Sequence, residues 1–470
     1  MKLKKIMALA LATALTLSFA GCGGEDNSQT GNTNNTGNTS NNGGTANTDS
    51  ADALLYKDIT LGETEKDLTA TIKVLSHRTD LADNKFVEYV TEFKEMYPGI
   101  TVEYETVTDY ATEALLRIEQ SDWDIMMIPA VDKKDLPTYF IPFGTLDEVS
   151  AEVRFANTWM NNELVYDIPS TGNAQGIVYN KKVFENAGVT EIPATPDEFI
   201  NALQAINDKT DAIPLYTNYA AGWTMGAWDA YIGGSATGDA TYVNQKLVHT
   251  NNPFADQGDS TGAYAVYKVL YDAVSKGLIE EDYTTTDWEG CKGMINNGEI
   301  GCMVLGSWAF TQMVEAGPNG ADIGYMSFPI TVDGKQYASA GADYSYGINK
   351  QASDDNKKAA MIYIKWLTEE SGFSFSEGGI PIDMEGEYPE LYVAFDGIEF
   401  VADEAALAGE ENLLNEMNAE SELMINAGGD KKIQEIIEHA ANGDMSFDDI
   451  MKEWNTAWSD AQATLEIEVK

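Results

Sequence analysis

From residue 71 to residue 128 the chain switches repeatedly between two hydrophobic periods, and few folds accept that pattern. TIKVLS (residues 71–76), TVEYET (101–106) and WDIMMI (123–128) read as short strands. Between the first two, Phe86, Val90, Phe93 and Tyr97 recur at spacings of four, three and four, and Pro98-Gly99 follows at once. That is one face of a helix over residues 85–97 with a stop signal behind it. Residues 112–120 read as a second helix. Strand, helix, strand, helix, strand in this order builds a parallel sheet with helices on its faces, an α/β fold. Such sheets bind ligands beyond the carboxyl ends of their strands. That places His77 and Arg78 after the first strand, and Pro129 and Ala130 after the third, as candidates.

The alternation continues. Residues 176–180 (GIVYN) read as a strand and 182–187 as the start of a helix. Thr195-Pro196-Asp197-Glu198 carries a helix start: Thr195 as N-cap, Pro196 in the first turn, Glu198 at the capping-box position. Helices are expected over 197–207, 261–276 and from Thr286-Asp287-Trp288-Glu289 to Asn296. Residues 300–305 and 323–329 read as strands, and Asp333-Gly334 as the turn of a hairpin. Beyond residue 355 the pattern is largely helical, over 356–370, 403–418, 432–441 and 446–463, with Trp454 and Trp458 on a core face.

One stretch is chemically distinctive. AIPLYTNYAAGWTMGAWDAY (residues 212–231) sets Tyr216, Tyr219, Trp223, Trp228 and Tyr231 among Asn218, Thr224 and Asp229. A pyranose has an apolar C–H face that lies on an indole and a rim of hydroxyls that need donors and acceptors, so such a mixture suits a sugar site. Aromatic side chains dominate cores as well, and this window alone leaves both readings open.

The amino-terminal residues have another character. Lys2, Lys4 and Lys5 precede an apolar run over residues 6–19, which at about 14 residues is short for a membrane span. Ala20 and Gly21 then lead to Cys22. The pattern resembles a bacterial lipobox, in which cleavage exposes a cysteine that carries lipid, although Phe19 stands where a smaller aliphatic residue is commoner. Residues 1–21 are therefore expected to be a lipoprotein signal peptide and Cys22 the lipidation site. The competing reading is a plain secreted protein with a stray thiol. Residues 22–55 contain a run of Asn, Thr, Gly and Ser that cannot bury enough surface to offset chain entropy, and read as a disordered tether. About 415 residues follow, enough for two domains. No other stretch is long and apolar enough to span, so the lipid is expected to be the membrane attachment.

Residues 1–21 carry three lysines and no acid, so their removal takes the formal charge from −47 to −50. So acidic a chain repels nucleic acid. Cys291 and Cys302 could pair in an exported protein or be two small buried hydrophobes; the apolar strand around Cys302 favours the second. Three histidines and no HExxH or CxxC pattern give no metal site to argue for, and no cofactor is expected.

TEFKEMYPGITVEYE, DWDIMMIP, GIVYNKKVFENAGV, IPLYTNYAAGW, MVLGSWA, AGADYSYGINK and ESGFSFSEGGIP occur in that order. Together, and behind a lipobox, they resemble the extracellular solute-binding lipoproteins of ABC sugar importers, the maltose-binding-protein-like type. The resemblance covers nearly all of residues 70–460 and departs from the family in a long acidic segment, about 384–420. It implies a two-lobed periplasmic-binding-protein type II fold with the ligand cleft between lobes that close on it. Chain crossings are expected near residues 172–176, 305–308 and 341–347. Lobe 1 would then comprise 56–172 plus 308–340, and lobe 2 173–307 plus 341–470. The resemblance makes Trp308, in GSWA, the first stacking platform, followed by Trp223 and Trp228. Asp343 and Tyr344 become candidates for hydroxyl contacts, with His77, Arg78, Asn218 and Gly379 behind them. The competing roles are hinge packing for Trp308, a turn or cap for Asp343, and surface positions for His77 and Arg78.

The expected function is binding of a mono- or oligosaccharide outside the cell and its delivery to ABC transporter permease subunits. The protein is expected to be a monomer, held by its lipid at the outer face of a Gram-positive cell membrane. Two alternatives use the same residues. One keeps the fold and binds a peptide, polyamine or other solute. The other is a glycoside hydrolase, which needs one acid of raised pKa opposite a second carboxylate. With 76 acidic residues no such pair stands out, and G-x-S-x-G is absent, so no enzymatic activity is expected.

Overall fold

Phe86, Tyr89 and Phe93 line the buried side of the helix Lys85–Met96 and meet Ile72, Val74, Ile100 and Val102 from the strands before and after it. This is the packing that the alternating pattern requires. The computed structural model describes residues 54–108, 110–427 and 429–470. The expected signal peptide, Cys22 and the tether up to residue 53 lie outside the described residues.

The chain first lays down β1 (Ala70–Ser76), β2 (Ile100–Thr106), β3 (Ile125–Met127) and β4 (Ile168–Pro169). It then builds β5 (Gly172–Asn180), β6 (Ile213–Leu215), β7 (Ile300–Gly306), β8 (Ile323–Ser327) and β9 (Tyr337–Ala342), returns with β10 (Ser345–Ile348), and adds β11 (Glu399–Ala402). The first sheet has the order β2-β1-β3-β10-β4. β1 runs parallel to β2, with Ala70 opposite Ile100, and parallel to β3, with Val74 opposite Ile125. β10 lies antiparallel between β3 and β4. The second sheet has the order β11-β9-β5-β7-β6, and β8 also pairs with β5.

Each sheet has its own core. One gathers Tyr56 to Ile168 with Tyr346 to Ile382, including the helix Asp354–Glu369. Residues 174–340 and most of the chain beyond 390 pack on the other sheet in two adjoining clusters. The expected lobe boundaries are corrected accordingly. Residues 308–340 supply β8 and β9, which pair with β5, so they belong with the second sheet. Residues 345–369 belong with the first, because β10 completes it and draws the following helix onto it. Residues 305–308 do not cross: Leu305 and Ala309 sit in one cluster on the second sheet. The third passage runs instead near residues 380–384, where Arg154 binds the carbonyls of Pro381, Asp383 and Met384.

Local signals placed most other elements. Thr195 Oγ1 accepts from Glu198 N at 3.3 Å, and Pro196 opens the helix Pro196–Lys209. Glu198 reaches back to the Ala194 N–H, at 2.9 Å, one residue short of a capping box. The Asp333-Gly334 turn closes only the bridge between Val332 and Lys335; β8 and β9 pair with β5 and not with each other. The acidic stretch differs more. Its one α-helix is Leu413–Ser421, preceded by a 3-10 helix at Glu390–Phe395, and residues 403–412 are not helical. Residues 404 and 405 bind elsewhere: Glu404 N donates to Ala240 O, while Asn244 and Gln245 donate to the carbonyls of Glu404 and Ala405. Trp454 and Trp458 are core, edge-on to Phe254. Cys291 and Cys302 are both buried and free. Among the described residues, no helix is long and apolar enough to cross a membrane.

Candidate functional site

The three passages between the sheets run side by side and are tied by backbone hydrogen bonds. Asp343 N donates to Thr171 O and Ser170 N to Tyr344 O, each at 2.9 Å. Gly172 and Ile380 exchange two bonds of 2.9 and 2.7 Å. Ser374 Oγ, 2.6 Å from Thr171 Oγ1, donates to Ile380 O at 2.6 Å. Gly379 is required here because a Cβ would lie 1.7 Å from Thr171 Oγ1.

Side chains from the end of β1 and from around the passages converge on this knot. β1 delivers His77 and Arg78 at its carboxyl end. The His77 ring stacks on Tyr344 with centroids 4.0 Å apart, and Tyr110 stands edge-on to both. Tyr344 is exposed. Asp343 is half-buried, and burial pushes its carboxyl above the ordinary range. The Tyr344 N–H, the Asn173 amide and the nearby Arg78 guanidinium oppose that shift. Arg78 itself lies 2.6 Å from Glu377. Asn173 Oδ1 accepts from Ser307 at 3.3 Å; Ser307 Oγ accepts from Ala174 N at 3.1 Å and lies 2.9 Å from the Tyr392 hydroxyl.

Ser307 links this polar group to an aromatic one. Its N–H donates to Ala174 O at 2.9 Å, which fixes the end of β7 beside β5. Trp308 follows and opens the helix Trp308–Glu315, its indole against Gly306. Trp308 lies 5.5 Å from Trp223 and 5.7 Å from Trp288, and those two lie 5.1 Å apart. Trp223 is 47% exposed and the other two are partly exposed. Three clustered, partly exposed indoles form an apolar wall, with Lys292 Nζ 4.9 Å over the Trp288 ring, and Ser307, bonded to Asn173, supplies polar groups next to Trp308. Such a pairing binds a ligand that is apolar on its faces and hydroxylated at its rim.

The remaining candidates fall elsewhere. Trp228 is 3% exposed and packs on Phe328 and Tyr231, so it offers no face to a ligand and is corrected to core. Asn218 is buried at φ +61°, its side chain on Met303 and its carbonyl accepting from Thr224, which is a structural position. Gly379 is a packing residue of the knot. The aromatic stretch thus divides. Trp223 faces outward. Tyr216 and Tyr231 are buried, and their hydroxyls bind Asp287 N and Gly176 O. Asp229 is buried in a cage of Lys432, Tyr267 and Asn426 N. Tyr110, Asn173, Trp288, Ser307 and Glu377 belong to the site and are not singled out by the sequence. Trp288 shows there only as part of a helix start, although a tryptophan so near a cap is a signal. Glu377 precedes the Gly-Gly pair of SEGGIP and carries no pattern of its own.

Two sheets with separate cores, joined by a hydrogen-bonded knot that carries aromatic and hydroxyl-binding groups, define a two-lobed ligand-binding protein. The model for bacterial extracellular solute-binding proteins matches residues 79–372, and the chain belongs to that family. Among solved structures, a manno-oligosaccharide specific solute binding protein of Bifidobacterium animalis subsp. lactis, in complex with mannotriose, is 49% identical. It covers 87% of this chain and 99% of its own, with a TM-score of 0.82. A second binding protein of an ABC transporter from that organism, in complex with mannobiose, is 50% identical with the same coverage and TM-score. The multiple sugar-binding protein of Streptococcus mutans is 24% identical over 336 residues, 68% of this chain and 77% of that protein.

Proposed function

We propose that this protein binds a manno-oligosaccharide outside the cell and hands it, unchanged, to the permease of an ABC transporter. The observation that carries the carbohydrate reading is the wall of Trp223, Trp288 and Trp308. The choice of sugar leans on the mannotriose and mannobiose complexes of its relatives. Sugar faces lie on the indoles, and Asp343, with Asn173 and Ser307 behind it, accepts from hydroxyls. Because the knot joins both lobes, a ligand touching Trp308 and His77 bridges them and favours the closed form. Lipid at Cys22 holds a monomer at the outer face of the membrane.

Calorimetric titration of the soluble domain with mannobiose, mannotriose, maltotriose, a peptide and a polyamine tests this. Manno-oligosaccharides bind and the controls do not. Trp308→Ala weakens mannotriose by roughly 1–3 kcal/mol, the scale of an uncovered large apolar face. Binding of peptide or polyamine with no saccharide binding overturns the reading. Parental affinity in Trp308→Ala removes that residue from the site.

A further inference from the structure

We infer that Glu280 is a positioning residue for the indole wall: its buried carboxylate grips Thr217 and so clasps together the two loops that lead to Trp223 and Trp288. This rests on the carbohydrate reading above and names what sets the spacing of its platforms. The two loops start side by side. Leu215, the last residue of β6, bridges Ile279, and its N–H donates to Leu278 O at 3.1 Å. Just beyond, Thr217 and Glu280 meet, each 6% exposed. The Glu280 carboxylate accepts from the Thr217 N–H at 2.9 Å and from the Thr217 hydroxyl. The same Thr217 oxygen accepts from Tyr219 N at 3.2 Å, so the carboxylate also fixes the turn over residues 217–219.

Three further contacts continue the clasp towards the wall. Asp287 N donates to the Tyr216 hydroxyl and Ala220 N to Thr286 Oγ1, each at 2.8 Å. The Tyr219 and Tyr283 rings stand edge-on, 4.9 Å apart. Trp288 follows Asp287 directly and Trp223 lies just past Ala220, with their rings 5.1 Å apart. Glu280 thus sits at the root of both loops, and the indoles stand at their far ends. A buried carboxylate is a costly way to close a loop, because it gives up its hydration. Burial works against the ionised form of Glu280, and the Thr217 hydroxyl and N–H oppose that. What a carboxylate adds over a neutral acceptor is a pair of accepting oxygens and stronger, charge-assisted bonds, so that both donors of one residue are held at once. Both side chains are buried, so they act through Trp223 and Trp288 and not on the sugar. Platforms held in place before the sugar arrives lose less freedom on binding, which raises affinity.

Calorimetric titration with mannotriose, with a thermal melt of each variant, tests the inference. Glu280→Gln leaves one donor of Thr217 without its acceptor and weakens mannotriose about tenfold. Thr217→Val keeps the shape, loses the hydroxyl and weakens binding about fivefold, whereas Thr217→Ser keeps both donors and stays within about twofold of the parent. Thr286→Val, at a partly exposed position, loses the bond from Ala220 N and weakens binding about threefold with little change in melting. In a Trp223→Ala protein one of the two placed indoles is already gone, so the further loss from Glu280→Gln shrinks to about threefold or less. If Glu280→Gln does not fold, Thr217→Val and Thr286→Val decide in the same way. A merely structural clasp lowers the melting temperature and leaves the affinity of the folded molecules parental. Parental affinity in Thr217→Val and Thr286→Val, or an undiminished loss from Glu280→Gln in the Trp223→Ala background, overturns the inference and leaves the carbohydrate reading standing. A parent that binds no saccharide overturns both.

Discussion

Trp223 and Trp228 are five residues apart, and burial gives them different work. Trp228 is packed on Phe328 and Tyr231 in a shared core. Trp223 sits after Gly222, whose φ of +50° turns the chain so that the next indole faces outward onto Trp288 and Trp308. Their substitutions should therefore separate stability from binding. Trp228→Ala leaves a large cavity and should cost about 3–5 kcal/mol of stability, with little change in the affinity of the molecules that remain folded. Trp223→Ala uncovers little and should leave the melting temperature nearly unchanged, while weakening sugar binding by about 1 kcal/mol or more. Thermal melts and calorimetry on both variants decide it. A Trp228→Ala protein of parental stability would show that the indole is not core.

At the scale of elements, the knot of three passages should be sensitive to a single methyl group. Gly379→Ala places a Cβ against Thr171 Oγ1, which Ser374 already holds, and Gly172 O is only 3.1 Å away. Overpacking of this kind costs about 1–3 kcal/mol. Adding Thr171→Ala removes the hydroxyl and should recover part of the loss, which a double-mutant cycle in urea measures. Strict additivity would place the clash elsewhere. The knot also marks the limit of what the sequence discloses. Strand and helix periods are local, so the helix Lys85–Met96 and the cap at Thr195 were legible almost to the residue. Partner choice is not local. Nothing within Ser345–Ile348 says that it pairs between β3 and β4, and with that strand the lobes expected for residues 308–340 and 345–369 are exchanged. The same limit hid Trp288, whose neighbours lie 65 residues before it and 20 after, and misled the helix at 403–418, where backbone groups found partners on residues 240–245.

For the whole molecule, buried acids set the pH at which it is most stable. Asp167 is fully buried, and burial pushes its carboxyl up to about 7 against the Trp159 N–H at 3.1 Å and the charge of Lys133. Asp403 is pushed up to about 6, again by burial. An aspartate in the unfolded chain titrates near 3.9, so between about pH 4 and 7 the folded state holds protons that the unfolded state has released. Stability then falls as pH rises through that window, by at most about 1.4 kcal/mol per unit of pH for each such group. His249 acts in the same sense. Its hydrogen bond with Glu410, at 3.0 Å, raises its pKa, so it stabilises below the ordinary histidine value of about 6.5 and loses that effect as pH rises through the folded value. The formal charge of −47 adds self-repulsion that acidification relieves. Against these stand groups such as Asp282, held ionised by Thr284, and Glu411, held by the Gly409 N–H; their contribution disappears at lower pH. The melting temperature should therefore rise as pH is lowered from about 8 to about 5.5 and turn over below that. Asp167→Asn, which carries no charge to bury, should flatten the slope between pH 6 and 8 and raise the melting temperature most at pH 8. A parental slope in Asp167→Asn would mean that Asp167 is not the group that sets it, and a parent whose melting temperature climbs towards pH 8 would reverse the sign for the whole molecule.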